Sequence, residues 1–470
     1  MQRALLLLLI AVSYALYAGG PRWTLVPLLI LAGITAAVAP RRTFSFPRES
    51  RVLDAALIAL MAAIAIQAVP LPRAVIETIS PAAPGVRATL EFQQQGAGSW
   101  LPLSVNPPAT LDSLAIVVVG VISYWISRGI FSFGGSTRQF CRTLALLGAA
   151  AAVSALLFRV TSPGLVHGTL LPEARSANPF GAFLNRNHFA GWLLLVAGPV
   201  GGYLIAHLRI HPAYRQRFRL GLKQFLVSGA MVTAMAGAVV VGVLVMTLSR
   251  SGVIGLGAAA FYGWYVGKDR LRIERTNLPA VLAMVGSALL LAVLFVDISG
   301  WSTRIEESLS VTGDRNRITI WRESLPVVRD FWLTGTGAGT YSDAMTKYQQ
   351  TRVWVGSMSR WAHFNNAHSH YVQVLAEGGL LLATPVLIAL GAALSLGRRA
   401  IRDDKGEMQW ARIGAAGGLL GLAVQSIWET SLVMPANAIL CGAIAGLLLY
   451  QRPRNGSRLE PSTDAPGRRA

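Results

Sequence analysis

Charged residues make up only 14% of this 470-residue chain, against roughly a quarter in a soluble globular protein. That shortage excludes an ordinary soluble enzyme. Cysteine is nearly absent: Cys141 and Cys441 lie in separate apolar runs, with no CxxC or Cys/His spacing beside them, so neither redox nor thiolate-metal chemistry is signalled. No HExxH occurs, and no Gly-Lys-Ser/Thr follows a glycine-rich turn, which excludes the zinc-protease and P-loop signatures. Acidic residues are few, 22 against 42 Lys+Arg, for a net charge of +20. In a soluble chain that excess suggests nucleic acid, but here most of it sits in short linkers between apolar runs, with no aromatic-interleaved stripe, as membrane-orientation signals do. A phosphate-bearing, lipid-linked partner is the expectation, not DNA or RNA.

What the chain has in plenty is apolar runs of spanning length. Helices are predicted near 3–18, 23–39, 52–69, 110–127, 142–158, 189–206, 224–247, 252–266, 278–297, 372–396, 410–427 and 433–450. This is an all-α polytopic membrane protein of about twelve spans. Met1-Gln2-Arg3 and the apolar Ala4 to Val12 have the order of a signal peptide, but no convincing A-x-A site follows, so the first span is read as uncleaved. Basic blocks at Arg41-Arg42, Arg215 to Arg219 and Arg398-Arg399 place both termini in the cytoplasm. The organisation is therefore nine spans over 1–297, a large outer loop over 298–371, three spans over 372–450, and a disordered cytoplasmic tail over 451–470.

The outer segments 70–109, 159–188 and 298–371 hold the candidates for chemistry. Ile318, Trp321 and Leu325 suit a short amphipathic helix at the membrane surface, with Arg317 near its start. Thr334 to Tyr341 is a glycine-rich turn able to offer N–H groups to an anion, or simply a tight linker. His363 to Tyr371 puts imidazoles at a membrane boundary, where a neutral His can take a proton from a hydroxyl; the plainer reading is an anchored helix end. His368 and His370 are two apart and share no helical face, so no metal site is expected. Arg250 lies in a hairpin too short to be a loop, and its partner is either a carboxylate such as Asp297 or a lipid diphosphate. Asn185, Arg186, Asn187 and His188 form a polar cluster that either caps a helix or touches substrate.

These residues resemble the O-antigen ligase-related family of bacterial envelope glycosyltransferases. The resemblance is carried by Arg317 four before Trp321, by Gly335 to Gly339, and by His368-Ser369 with Tyr371, Gln373, Leu375, Ala376, Glu377 and Gly379. Ser249 to Gly252, Phe183 to Gly191 and Leu103 to Thr110 add to it. Where the pattern has a last glycine this chain has Leu382, which questions close helix packing there. The resemblance implies a GT-C-like enzyme of the bacterial inner membrane, with its active site in the large periplasmic loop. It implies a metal-independent, inverting transfer from a polyprenyl-diphosphate-linked glycan, without a cofactor, to an acceptor hydroxyl of lipid A-core or another glycan or lipid. His368 is the implied general base, and Arg250 and Arg317 the implied diphosphate contacts. Arg186, His370, Arg322, Asn185, Asn187 and Glu377 rank second. A repeat-unit polymerase of the same family is the alternative. A transporter or flippase is the alternative of another class, disfavoured because the spans offer little ionisable beyond Asp54, Asp112 and Glu377.

Overall fold

The computed structural model describes residues 1–90, 99–132, 136–172, 178–210, 229–268, 311–351, 353–355, 360–406 and 409–451. The predicted span 278–297, the basic block 215–219, Asp297 and the tail from 452 lie outside the described residues.

The chain is mostly helical. Its described helices are α1 (Gln2–Ala15), α2 (Leu25–Ala37), α3 (Arg51–Ala68), α4 (Arg73–Ile79), α5 (Ala83–Leu90), α6 (Pro107–Ser132), α7 (Thr137–Thr161) and α8 (Arg186–Ile210). These are followed by α9 (Gly229–Met246), α10 (Arg250–Gly267), α11 (Val311–Asp330), α12 (Tyr341–Tyr348), α13 (His370–Asp403), α14 (Gln409–Gln425) and α15 (Pro435–Leu449). Every predicted span whose residues are described coincides with one of them. Among the described residues five helices are long and apolar enough to cross a membrane: α3, α6, α7, α8 and α13; α1, α2, α9 and α15 are shorter apolar helices.

Small residues let the helices close on one another. A Cβ on Gly202 of α8 would lie 2.0 Å from Trp410 O, and one on Gly414 of α14 2.1 Å from Gly198 O. Only hydrogen fits, so these backbones touch, as close packing in lipid requires. Outward-facing apolar side chains such as Val26, Ile30 and Ile34 on α2 stay exposed, which is favourable in hydrocarbon and costly in water.

A second apolar core lies outside the spans. Ile320, Val327 and Phe331 of α11 and Tyr341, Ala344 and Met345 of α12 pack with Ile76, Val86 and Leu103 of the 70–109 segment. Two short antiparallel strand pairs, Pro70–Pro72 (β1) with Trp100–Pro102 (β2) and Val353–Val355 (β3) with Arg360–Ala362 (β4), trim this cap. The expected short helix over 313–325 is the longer α11, and Arg317 falls in its second turn.

The cap joins the membrane part at a kink in α13. Gly379 has φ 51° and ψ −150°, a conformation open to glycine alone at no steric cost. It turns the Leu380 and Leu381 N–H groups onto Trp332 O and Leu333 O at 2.8 and 2.9 Å. Leu382, the departure from the family pattern, is buried against Ala63, Ile64 and Ala338. Gly378 leaves it room, since a Cβ there would lie 2.4 Å from that of Leu382, so packing at this point is intact.

Candidate active site

Polar side chains from four distant stretches meet where α8 and α13 begin and α14 ends. Asn185 is a helix cap, its Oδ1 accepting from Asn187 N–H at 2.9 Å; the cap reading is the one realised for this residue. Asn187 faces inward, and its Nδ2 donates to Glu429 Oε1 at 2.7 Å. Gln425 Nε2, at the end of α14, donates to Asn187 O at 2.7 Å. The next residue, Ser426, accepts His370 N–H on its carbonyl at 2.9 Å. Gln425 and Ser426, at and just past the end of α14, thus tie the start of α8 to the start of α13.

The cap contributes Arg317 and Trp321, one turn apart on α11 and therefore on one face. Arg317 Nη2 donates to Glu429 Oε1 at 3.0 Å. Trp321 Nε1 donates to Ala367 O at 2.9 Å, which fixes the strand of backbone that presents His368. His368 itself is held at φ 47°, with its N–H on Asn366 Oδ1 at 3.1 Å. A non-glycine residue in the left-handed region costs about 1–3 kcal/mol, and here the Trp321 and Asn366 bonds hold it in place.

Electrostatics sets the protonation states. Burial, and then the positive charge of Arg317, push the His368 imidazole down to about 4, so at neutral pH it carries a free lone pair. Burial pushes the Glu429 carboxyl up to about 7, opposed by Arg317, the Asn187 hydrogen bond and Arg186. Glu429 was not singled out from sequence. Its only local signal is a carboxylate in the short 426–434 link between two apolar runs. His188, quoted within its motif but not chosen, is buried with Nδ1 unbonded, and so is the Nδ1 of His370. Buried unsatisfied nitrogens are uncommon, and two of them beside His368 mark a polar layer.

Several expected site residues lie elsewhere or do other work. Arg250 opens α10, where Ser249 Oγ accepts Gly252 N–H at 3.2 Å. Gly252 packs on Ala190 of α8, so Arg250 stands at the same end of the bundle as Arg186, exposed. Arg322 is exposed too, and five residues beyond Arg317 it points about 140° away around α11. His363 is exposed and bound to Ser342 O. Glu377 is a clamp: its carboxylate accepts Gly339 N–H at 2.9 Å, Tyr341 N–H at 3.1 Å and Gln373 Nε2 at 3.0 Å. The glycine-rich turn does offer N–H groups to a carboxyl, and that carboxyl belongs to Glu377. The other N–H groups from Gly335 to Tyr341 are bonded to Phe331 O, Ala376 O, Glu377 O, Gln67 Oε1 and Gly337 O, leaving none of these for a phosphate. Among the described residues no set of His, Cys, Asp and Glu converges on a metal position.

Arg250, Arg317, Trp321, the glycine-rich turn, His368 and Glu377 all fall within residues 235–387, the stretch that matches the family model described as O-antigen ligase. Within that stretch the chain is similar to the O-antigen ligases. Arg186, Asn187 and Glu429 complete the site from outside the matched segment. No curated protein matches the chain. The chain thus combines a stretch similar to O-antigen ligases with helices long and apolar enough to cross a membrane.

Proposed function

We propose that this protein transfers a glycan from a polyprenyl-diphosphate-linked donor to an acceptor hydroxyl at the periplasmic face of the bacterial inner membrane. The observation that carries the reading is His368, a neutral imidazole fixed beside Arg317 at the outer end of apolar helices. His368 takes the acceptor O–H proton. The acceptor oxygen bonds to the anomeric carbon as the carbon–oxygen bond to the diphosphate breaks, inverting that centre. Polyprenyl diphosphate leaves with its charge met by Arg317 and Arg250, with Arg186 nearby. Cationic donors in a site shielded from water are effective at this. No metal or cofactor is needed in this scheme.

The architecture in this proposal is a GT-C-like arrangement of about twelve spans with both termini cytoplasmic. Lipid A-core is the acceptor for a ligase, and a growing repeat-unit chain is the acceptor for a polymerase; the chemistry at His368 is the same in both. A flippase gains nothing from Asp54, which is 1% exposed and paired with Arg128 at 2.7 Å and so lines no path.

The test is purified protein in detergent with a lipid-linked oligosaccharide and an acceptor. A transferase consumes donor and releases polyprenyl diphosphate without sealed vesicles, and His368→Ala loses that release while remaining folded. Full activity in His368→Ala overturns the general-base role, and absence of product from the wild type overturns the transferase.

A further inference from the structure

The outward face of α11 is apolar and has no partner among the described residues. Ile318 is 53% exposed, Leu325 62%, and Trp332, just past the helix end, 58%. They are seven residues apart, so they line one edge of the helix over about 21 Å. The opposite side, with Ile320, Val327 and Phe331, is buried in the cap core. Exposed Arg322 and Arg329 sit between the apolar side chains on the same edge, Arg329 Nε meeting Asp330 Oδ1 at 3.0 Å.

The depth of this face is set by the backbone. Trp332 O accepts Leu380 N–H at 2.8 Å, and Leu380, itself 50% exposed, opens the apolar part of the spanning helix α13. The stripe is therefore continuous with the lipid-facing surface of the bundle and begins at the level where α13 enters the membrane. An aromatic at the start of such a stripe and arginines along it match the headgroup layer, where rings sit between water and hydrocarbon and guanidinium groups reach lipid phosphates.

We propose that this edge of α11 lies in the outer-leaflet headgroup layer, with Ile318, Leu325 and Trp332 immersed and Arg322 and Arg329 on the phosphates of anionic lipids. Arg317 and Trp321 share the same rigid helix, so the immersion holds the site at the depth of lipid phosphates. Arg322 is then a bilayer contact. The choice of leaflet rests on the periplasmic topology proposed above and not on the transfer chemistry, and the test reads no activity.

The experiment is site-directed spin labelling of Ile318→Cys, Leu325→Cys and Trp332→Cys in the full-length protein. Thr346→Cys on α12 serves as the water-exposed comparison, and unlabelled-site background is taken from the wild type. Each is reconstituted in phosphatidylcholine nanodiscs, with and without phosphatidylglycerol. The expected result is a severalfold higher oxygen-to-nickel-chelate accessibility ratio at 318, 325 and 332 than at 346. That ratio rises further at 325 when phosphatidylglycerol is present, and Arg322→Gln/Arg329→Gln abolishes the rise. Ratios equal to that at 346 place the face in water and overturn the proposal. Exclusion of both probes shows a protein-covered face and overturns it equally. A rise that survives loss of both arginines overturns the phosphate contact.

Discussion

Arg317 Nη2 and Glu429 Oε1 lie 3.0 Å apart, joining helix α11 of the cap to the link between α14 and α15, 112 residues further along the chain. Glu429 is 2% exposed and Arg317 26%, so the pair is shielded on one side and open on the other. A carboxylate that holds Arg317 from behind leaves the rest of its guanidinium available for an incoming anion. The two residues are expected to act as a unit. In a double-mutant cycle of Glu429→Gln and Arg317→Gln, donor turnover falls in each single variant and the double variant loses far less than the sum. The coupling is about 0.5–3 kcal/mol, as for neighbours in one network. Additive losses show that Glu429 does not hold Arg317 in the working enzyme.

The pH profile follows from the same carboxylate. With Glu429 pushed up to about 7 and His368 pushed down to about 4, acidification protonates Glu429 first, which releases Arg317 while His368 is still a base. The acid limb of kcat/KM is expected near pH 7. Glu429→Gln removes that limb and leaves the one near 4. A limb that stays near 7 in Glu429→Gln assigns it to another group.

His368→Ala is expected to lower transfer by about 10²–10⁴-fold, the usual contribution of a general base, with membrane abundance unchanged. His370→Ala is expected to cost less, because its main-chain bond to Ser426 O survives the substitution. Equal losses in the two variants, both fully inserted, make the imidazoles a shared unit.

Trp321 is expected to act through His368, since its indole holds the backbone at Ala367. Trp321→Phe removes the Nε1 bond to Ala367 O, at a stability cost of about 1 kcal/mol, and frees the segment that carries the base. A fall in kcat with KM for donor nearly constant is the expected signature. A rise in KM alone shows instead that the indole touches substrate.

Glu377→Gln tests whether this carboxylate is a clamp or a ligand contact. It receives three hydrogen bonds from the turn and from Gln373, each contributing about 0.5–1.5 kcal/mol. Thermal stability in detergent is expected to fall, with KM for donor unchanged in the folded fraction. Unchanged stability with a raised KM places Glu377 at the diphosphate.

Much of the fold was legible because spanning helices are written locally, as unbroken apolar length. The segment from Gln2 to Ala15 and the one from Pro435 to Leu449 are found by composition alone, and so is the separateness of the Arg-rich outer loop. Arg317 with Trp321 was legible as well, since a spacing of four means one helix face. Glu429 was not, because a single carboxylate in a short link has no periodicity to mark it. The glycine-rich turn was legible as a turn, but what its N–H groups meet was not: Glu377 lies 38 residues from Gly339, and only folding shows that its carboxyl fills the turn.

Where the helices run, which end of the bundle carries polar residues, and the similarity of the stretch holding His368 to O-antigen ligases are already written in the linear chain. Those properties depend on hydropathy and on neighbours within a turn or two. The tertiary structure alone decided that Arg317 meets Glu429, that Arg322 points away from the site, that Asn185 caps while Asn187 reaches inward, and that α11 buries Ile320 and exposes Leu325. Each of these depends on which helices pack together, and the direction of a side chain around a helix becomes a contact only when a partner from a distant part of the chain is placed opposite it.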